Sequence, residues 1–294
     1  MKNKKDKLWE KGYFAETLGS KDMDEKMRTF DMKHDEEMNF NCKRCNKKIS
    51  AHNNDWHNGM CDECFNKQYY PENSSENPFS EKNSMGECRS CKEKFSGKNI
   101  NKHITKCLEN YEGEIEAFLL KAFEGPFWVY FSVPKDKKLI EVDRFLRELW
   151  LECCGHLSAF YIGSLTYQSY NELDEERNMN FLIKDVIKEH EKFRYEYDFG
   201  TTTEIDLKCI SSIKTNSKEI SILARNNILD FRCDECNEKA QDVCVQCIWE
   251  GNGFLCKACM KKHKCEEPSF LPIVNSPRIG MCGFTGKECK LLNK

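Results

Sequence analysis

The chain has 294 residues, 39% of them hydrophobic and 32% charged, with 19 cysteines and a formal net charge of −3. That length suggests two or more folded units. The odd cysteine count excludes a fully paired disulfide framework, and so small a net charge identifies no partner.

The start, MKNKKDKLWEKGYF, is basic but has no apolar run after it, so it does not read as a signal peptide. The longest apolar stretch, near Phe127–Val133, is far too short to span a bilayer. The expectation is a cytoplasmic protein without membrane contact. Residues 1–40 are charged and rich in methionine, with a helix expected around Lys21–Glu37 and no evident chemistry.

Fourteen cysteines then follow a repeated pattern. Cys42/Cys45, Cys61/Cys64, Cys88/Cys91, Cys233/Cys236, Cys244/Cys247 and Cys256/Cys259 are C-x2-C pairs, and Cys107 and Cys265 complete histidine-containing halves. Two intervening residues let both thiolates reach one tetrahedral ion at about 2.3 Å. Repeated pairs of this kind point to zinc, about four ions in all, and not to disulfides.

Residues 41–66 hold the first cluster, Cys42-x2-Cys45-x15-Cys61-x2-Cys64, a zinc-ribbon-like spacing. Four thiolates fill the coordination shell, so the site is closed and structural. His52 and His57 between the pairs read as loop residues. Zinc is expected to supply roughly 10 kcal/mol or more of folding free energy to a segment this short. Residues 67–85 are rich in Pro, Asn, Ser and Glu and read as a linker.

Residues 86–110 contain Cys88-x2-Cys91-x11-His103-x3-Cys107. His103 and Cys107 are four apart, so one helix face presents both to the same ion. Phe95 and Ile100 supply the apolar residues a small finger needs. The pattern resembles C2HC-type fingers. Lys98, Lys102 and Lys106 form a basic stripe at four-residue spacing, either a solvated face or a contact for phosphates or an acidic partner. Residues 86–110 carry six Lys/Arg against three Asp/Glu, whereas residues 111–230 carry fifteen against twenty-two. Any nucleic-acid contact therefore belongs to a zinc module and not to the centre.

Residues 111–230 are the one segment long enough to bury a sizeable core. Pro126–Val133 is aromatic and β-branched and reads as a strand. Val142, Phe145, Leu146, Leu149, Trp150 and Cys153 recur at helical spacing, and Gly155 stands where that helix would end. Leu157–Gly163 reads as a strand and Phe181–His190 as a short helix. Lys192–Phe199 and Thr203–Ile213 read as two strands joined by a turn near Gly200. The expected fold class is α+β, a central and mainly antiparallel sheet with helices, flanked by small zinc-stabilised modules.

Residues 231–265 supply eight ligands, Cys233, Cys236, Cys244, Cys247, Cys256, Cys259, His263 and Cys265, enough for two ions. Their closeness favours an interleaved pairing, with Cys233, Cys236, Cys256 and Cys259 on one ion and the rest on the other. A sequential pairing fits the same spacing. The arrangement resembles B-box-like cross-brace modules, which usually mediate protein contacts. Residues 266–294 read as a C-terminal tail. Cys153, Cys154, Cys209, Cys282 and Cys289 remain and read as buried free thiols. The alternative is a fifth site drawn from Cys282, Cys289 and the Cys153–His156 region.

Several strings resemble the plasmid pRiA4b ORF-3-like family, also described as passenger proteins of insertion elements. They are FLRELWLECCGHLSAF, FRYEYDFGTTTEIDL, ISILARNN and NSPRIGMCGFTG, together with the finger CRSCKEKFSGKNINKHITKC. The resemblance covers most of residues 86–290 and implies an α+β domain at about residues 115–225. It carries no established molecular activity. Many members read YDFGD followed by Trp and His; here Asp198, Phe199 and Gly200 are followed by Thr201, Thr202, Thr203 and Glu204, the form of the zinc-bearing subgroup.

Enzymatic candidates are Cys153, Cys154, His156, Tyr195, Tyr197, Asp198 and Glu204. His156 reads as a helix cap or a partner for backbone, and Tyr195, Tyr197 and Phe199 as packing on one strand face. There is no glycine-rich phosphate loop, no H-E-x-x-H and no G-x-S-x-G, and no small-molecule cofactor is evident. The sequence thus favours a non-catalytic zinc-binding adaptor for protein or nucleic acid. An enzyme acting around His156 and Asp198 is the alternative.

Overall fold

The computed structural model describes residues 23–69, 81–108, 113–170, 177–250 and 253–293. The chain divides into two compact units, Met1–Asn77 and Pro78–Lys294.

The first unit contains α1 (Met23–Thr29), a two-stranded hairpin of β1 (Phe40–Asn41) and β2 (Lys48–Ile49), α2 (Ala51–Trp56) and α3 (Asp62–Tyr69). The helix expected to run to Glu37 stops at Thr29. Glu37 takes a left-handed φ of 47° and pairs with Arg28 at 3.0 Å, which turns the chain back. Thr29 donates to Asp55 at 2.9 Å and Trp56 donates to the Lys26 carbonyl at 3.0 Å, so α1 docks on α2 through buried polar bonds. Ser50 caps α2 by accepting from the Asn53 N–H at 3.1 Å. His52 therefore lies within a helix, and His57 is its C-cap and not a loop residue.

The second unit is built on a ten-stranded sheet in the order β4-β3-β12-β6-β5-β11-β10-β7-β8-β9. Its strands are β3 (Met85–Cys88), β4 (Lys94–Ser96), β5 (Ile115–Glu124), β6 (Phe127–Pro134), β7 (Ser158–Ile162), β8 (Leu165–Gln168), β9 (Arg177–Asn178), β10 (Lys192–Tyr197), β11 (Thr203–Thr215) and β12 (Ser221–Asn226). All pairings are antiparallel except β8 with β9. With its few helices this is an α+β fold, as the sequence implies.

Strand β6 shows how the layers are arranged. All eight of its residues are buried, because both faces of the sheet are covered. Alternate side chains divide between two cores. Trp128 and Tyr130 meet Ile100 and Ile104 of α4 (Gly97–Leu108) on one face. Phe127, Val129, Phe131 and Val133 meet α5 (Leu139–Leu146) on the other.

Three elements depart from the sequence reading. The finger at 86–110 is not free-standing: β3 pairs with β12, placing Cys88 opposite Ala224. Ile100 and Ile104 are too few to enclose a core of their own and are buried against Leu119 and Trp128 instead. The helix expected through Cys153 is α-helical only to Leu146; it widens into a π-turn over Arg147–Leu151 and leaves Cys153 outside. The helix expected over Phe181–His190 shrinks to α6 (Ile183–Val186). Phe181 and Met179 instead accept from Leu139 and Ile140 at 3.0 and 2.9 Å, so their backbone is committed to cross-chain pairing.

Residues 266–294 are not a tail. Strand β15 (Phe270–Pro272) joins β13 (Asp242–Cys244), which also pairs with β14 (Phe254–Leu255). Ser276, Arg278 and Phe284 are fully buried. The π-turn explains much of this docking, because it leaves carbonyls that need donors. Ser276 donates to the Trp150 carbonyl at 2.6 Å and the Leu291 N–H to that of Glu148 at 2.9 Å. Arg225 reaches from β12 to the carbonyls of Leu292 and Asn275 at 2.7 and 3.2 Å.

Candidate metal centres

Three of the C-x2-C pairs share one backbone design. At Cys42, Cys88 and Cys233 the cysteine N–H donates to the carbonyl five residues on, at 2.7, 3.0 and 2.7 Å, and its carbonyl accepts from the N–H four residues on. The residue after the second cysteine takes a left-handed φ: 60° at Asn46, 65° at Lys92 and 61° at Asn237. Asparagine tolerates that region better than most residues, which suits two of the three turns. The result is a tight knuckle with both sulfurs on one side.

The partner pairs sit at helix starts. Cys61 precedes α3 and its carbonyl accepts from Phe65 at 2.9 Å; Cys256 caps α7 (Lys257–Met260) and accepts from the Cys259 N–H at 3.4 Å. The Cys259 N–H favours thiolate at Cys256, whereas burial outweighs such donors at Cys61 and raises its thiol. In the finger the second half is helical too, with His103 and Cys107 on consecutive turns of α4.

These local designs bring together Cys42, Cys45, Cys61 and Cys64; Cys88, Cys91, His103 and Cys107; Cys233, Cys236, Cys256 and Cys259; and Cys244, Cys247, His263 and Cys265. Within each set the ligand atoms all lie within 4.8 Å of one another. A tetrahedral ion bound to sulfur at about 2.3 Å needs sulfurs about 3.8 Å apart. The Cys45–Cys61, Cys236–Cys256 and Cys244–Cys265 separations are 3.7, 3.7 and 3.8 Å. His103 and His263 turn Nε2 to Cys91 and Cys247 at 3.3 Å each. Phe95 stacks on His103 with centroids 4.0 Å apart and fixes its ring plane. All four sets could hold a metal ion. The cluster at residues 233–265 is interleaved in space, the first and third pairs forming one set.

The knuckle geometry also sets thiol acidity. Burial opposes ionisation of Cys42, yet the N–H groups of Cys45, Cys61 and Arg44 bring it down to about 6. Cys244 is likewise brought to about 6 and Cys233 to about 7 by N–H groups that outweigh burial. Their neighbours go the other way: burial and adjoining thiols push Cys64 and Cys247 up to about 12. The sets at residues 42–64 and 233–265 thus each offer at least one ready thiolate, and their other thiols must lose protons as the ion enters.

Lys98, Lys102 and Lys106 lie exposed along the outer side of α4, opposite buried Ile100 and Ile104. No ion pair among the described residues engages them.

The enzymatic candidates are mostly committed to structure. Tyr195 is buried and donates to Asp143 at 2.7 Å, and burial with that carboxylate raises its pKa far above the ordinary value. Asp198 accepts from Arg278 at 2.5 Å and from the N–H groups of Gly200 and Thr201 at 3.1 and 3.3 Å. Burial alone would raise its pKa, but these donors hold it below the usual carboxylate value. Glu204 pairs with Arg194 at 3.3 Å on the surface. Tyr197 is buried, whereas Phe199 is 44% exposed, because Asp198 takes a φ of 66° and ends the strand alternation before it.

The remaining cysteines divide in a way their spacing does not reveal. Cys209 and Cys289 are buried, and burial pushes each thiol up to about 12. Cys154 and Cys282 are exposed and Cys153 half-buried, and all three converge with His156. Reading them as buried thiols fails because the chain leaves the π-turn at Glu152 and turns outward.

Comparison with family models and with curated proteins finds no match for this chain. Among solved structures, a protein of unknown function from Methanosarcina mazei Go1 is similar over 37% of this chain and 67% of its own, at 14% identity and a TM-score of 0.33. A likeness at that level informs neither fold nor function. No helix among the described residues is long and apolar enough to cross a membrane.

Proposed function

We propose that this protein is a non-catalytic zinc-binding adaptor, with zinc in the four Cys/His sets and a binding face on the finger helix. The observation that carries this reading is the closure of the sets. Each presents four protein ligands, which leaves no coordination position for water or substrate, and thiolate with imidazole is the donor set zinc prefers. The cysteines of such sites work as thiolates, which accords with a reducing, cytoplasmic setting.

The binding face is the Lys98–Lys102–Lys106 stripe. Its helix is held rigidly by the metal set at one side and by Ile100 and Ile104 at the other, so the three ammonium groups are presented as a row. A row of this kind suits an anionic partner, nucleic acid first and an acidic protein second. The enzyme alternative is less favoured, because Asp198 and Tyr195 are consumed in buried hydrogen bonds. Membership of the pRiA4b ORF-3-like family is part of this proposal. It rests on the strings FLRELWLECCGHLSAF, FRYEYDFGTTTEIDL, ISILARNN and NSPRIGMCGFTG.

Two measurements test the reading. Elemental analysis of the purified chain should find at least four zinc ions, and a value near two would mean that clusters have been misread. Fluorescence anisotropy with random DNA and RNA across a salt series should show binding that weakens with salt and is lost in the Lys98→Glu/Lys102→Glu/Lys106→Glu variant. Absence of binding at low salt would leave an acidic protein as partner.

A further inference from the structure

The convergence of Cys153, Cys154, His156 and Cys282 joins a loop in the middle of the chain to one near its end. The Cys154 and Cys282 sulfurs are 3.9 Å apart and those of Cys153 and Cys154 are 3.6 Å apart. His156 Nε2 lies 2.9 Å from Cys154 Sγ and 3.1 Å from Cys282 Sγ. All four ligand atoms fall within the same 4.8 Å limit that the other sets satisfy. The sulfur separations bracket the 3.7 and 3.8 Å seen in those sets.

The histidine is oriented as a ligand. Its Nδ1 faces Asp198 Oδ1 at 3.4 Å, and Tyr197 meets the ring edge-on at 5.7 Å between centroids. A proton held on Nδ1 toward the carboxylate leaves the Nε2 lone pair directed at the thiols. Carboxylate–histidine–metal arrangements fix the tautomer in this way. Asp198 is itself held by Arg278, whose guanidinium also donates to Thr203 Oγ1 and the Thr201 carbonyl. Three thiolates around a divalent ion leave one net negative charge, and the Asp198–Arg278 pair beside them adds no net charge of its own.

The backbone around the ligands is preorganised. Glu152 accepts from the Gly155 N–H at 2.8 Å, and Arg147 donates to the His156 carbonyl at 2.8 Å. Gly155 has a φ of 74°, which lets the chain bend between Cys154 and His156. On the other side Cys282 itself takes a φ of 45°, a conformation costly for a residue with a Cβ, and so turns its sulfur toward the loop.

We propose that Cys153, Cys154, His156 and Cys282 bind a fifth zinc ion, which clasps the C-terminal segment to the loop after the π-turn. Asp198 and Arg278 are positioning residues of this site: Arg278 holds Asp198, and Asp198 aims the histidine.

The test is native mass spectrometry of the full chain purified with zinc, with the fold of each variant checked by circular dichroism. Wild type should carry five zinc ions. Cys282→Ser and Cys154→Ser, both at exposed positions, should each carry one fewer than wild type. His156→Ala should also lose one, and His156→Cys should keep all five, since a fourth thiolate replaces the imidazole. Limited proteolysis should cut the Cys282→Ser chain near residue 282 sooner than wild type. An equal zinc count in wild type and Cys282→Ser would overturn the proposal, as would an intact mass showing a Cys154–Cys282 disulfide. Four ions in wild type and three in Cys282→Ser would uphold the clasp and place the error in one of the other four sets. Four in both would refute the clasp and leave those sets standing.

Discussion

Replacing Arg278 by methionine isolates the forces that hold the C-terminal segment. The guanidinium is fully buried and serves three acceptors, Asp198 at 2.5 Å, Thr203 Oγ1 at 2.9 Å and the Thr201 carbonyl at 3.1 Å. Methionine fills similar volume and removes all three bonds. Asp198, 5% exposed, then keeps only the Gly200 and Thr201 N–H groups and the 3.4 Å contact with His156 Nδ1. Breaking one side of a buried pair costs about 3–5 kcal/mol, mainly because the remaining charge is uncompensated. For a unit of this size, about 2–4 °C per kcal/mol converts this to a fall of roughly 6–20 °C in melting temperature at pH 7.

The assay is differential scanning calorimetry of wild type, Arg278→Met, Asp198→Asn and the double variant. If the orphaned charge is the cause, the double variant is more stable than Arg278→Met, because the neutral amide needs no counter-ion. The pH dependence follows with a definite sign. In wild type the Asp198 pKa is held below its ordinary 3.8, so its contribution is present above that value and lost as pH falls below it. In Arg278→Met the unpaired carboxylate is raised by burial, and protonation relieves it. The gap between wild type and variant should therefore narrow from pH 7 to pH 4.5. A double variant no more stable than Arg278→Met, with a gap independent of pH, would refute the electrostatic account and leave lost packing as the cause.

Gly86 on β3 is a second probe, since an added Cβ would stand 2.3 Å from the Arg225 carbonyl and 2.4 Å from the Trp128 ring. Gly86→Ala should lower stability by about 1–3 kcal/mol in urea unfolding while the metal count stays unchanged, because the clash strains the sheet and not the knuckle. Glu124 is pushed up to about 7, first by burial and then by Asp206 and Glu204. A carboxyl raised in the folded state contributes fully below its ordinary value of 4.5 and loses that contribution as pH rises through about 7. Glu124→Gln should therefore raise the melting temperature at pH 8 and leave it unchanged at pH 4, with solvent contact trimming the gain to under about 1 kcal/mol.

What the sequence by itself determined about this protein is what depends on near neighbours. A C-x2-C knuckle closes through hydrogen bonds spanning four and five residues, so the pairs of the four sets are legible in their spacing. A helix presents residues four apart on one side, so His103 with Cys107 is legible too. The strands around Phe131, Phe160 and Tyr195 could be read because apolar and β-branched residues cluster there. The interleaving at residues 233–265 stayed open, since spacing alone allows either pairing.

Tertiary structure decided the rest. The finger merges into the sheet because β3 finds an edge on β12, a pairing across more than a hundred residues that no local pattern announces. The segment 266–294 folds inward because a π-turn far upstream leaves carbonyls that its Ser276 and Leu291 satisfy. Cys154 and Cys282 are 128 residues apart, and only the joint placement of the π-turn, the Asp198 turn and Arg278 brings their sulfurs together. Hydrogen bonds and ligand bonds act over a few ångströms, so sequence reports them where the chain is its own neighbour. Where distant segments become neighbours, the cores on either side of β6 decide the contact.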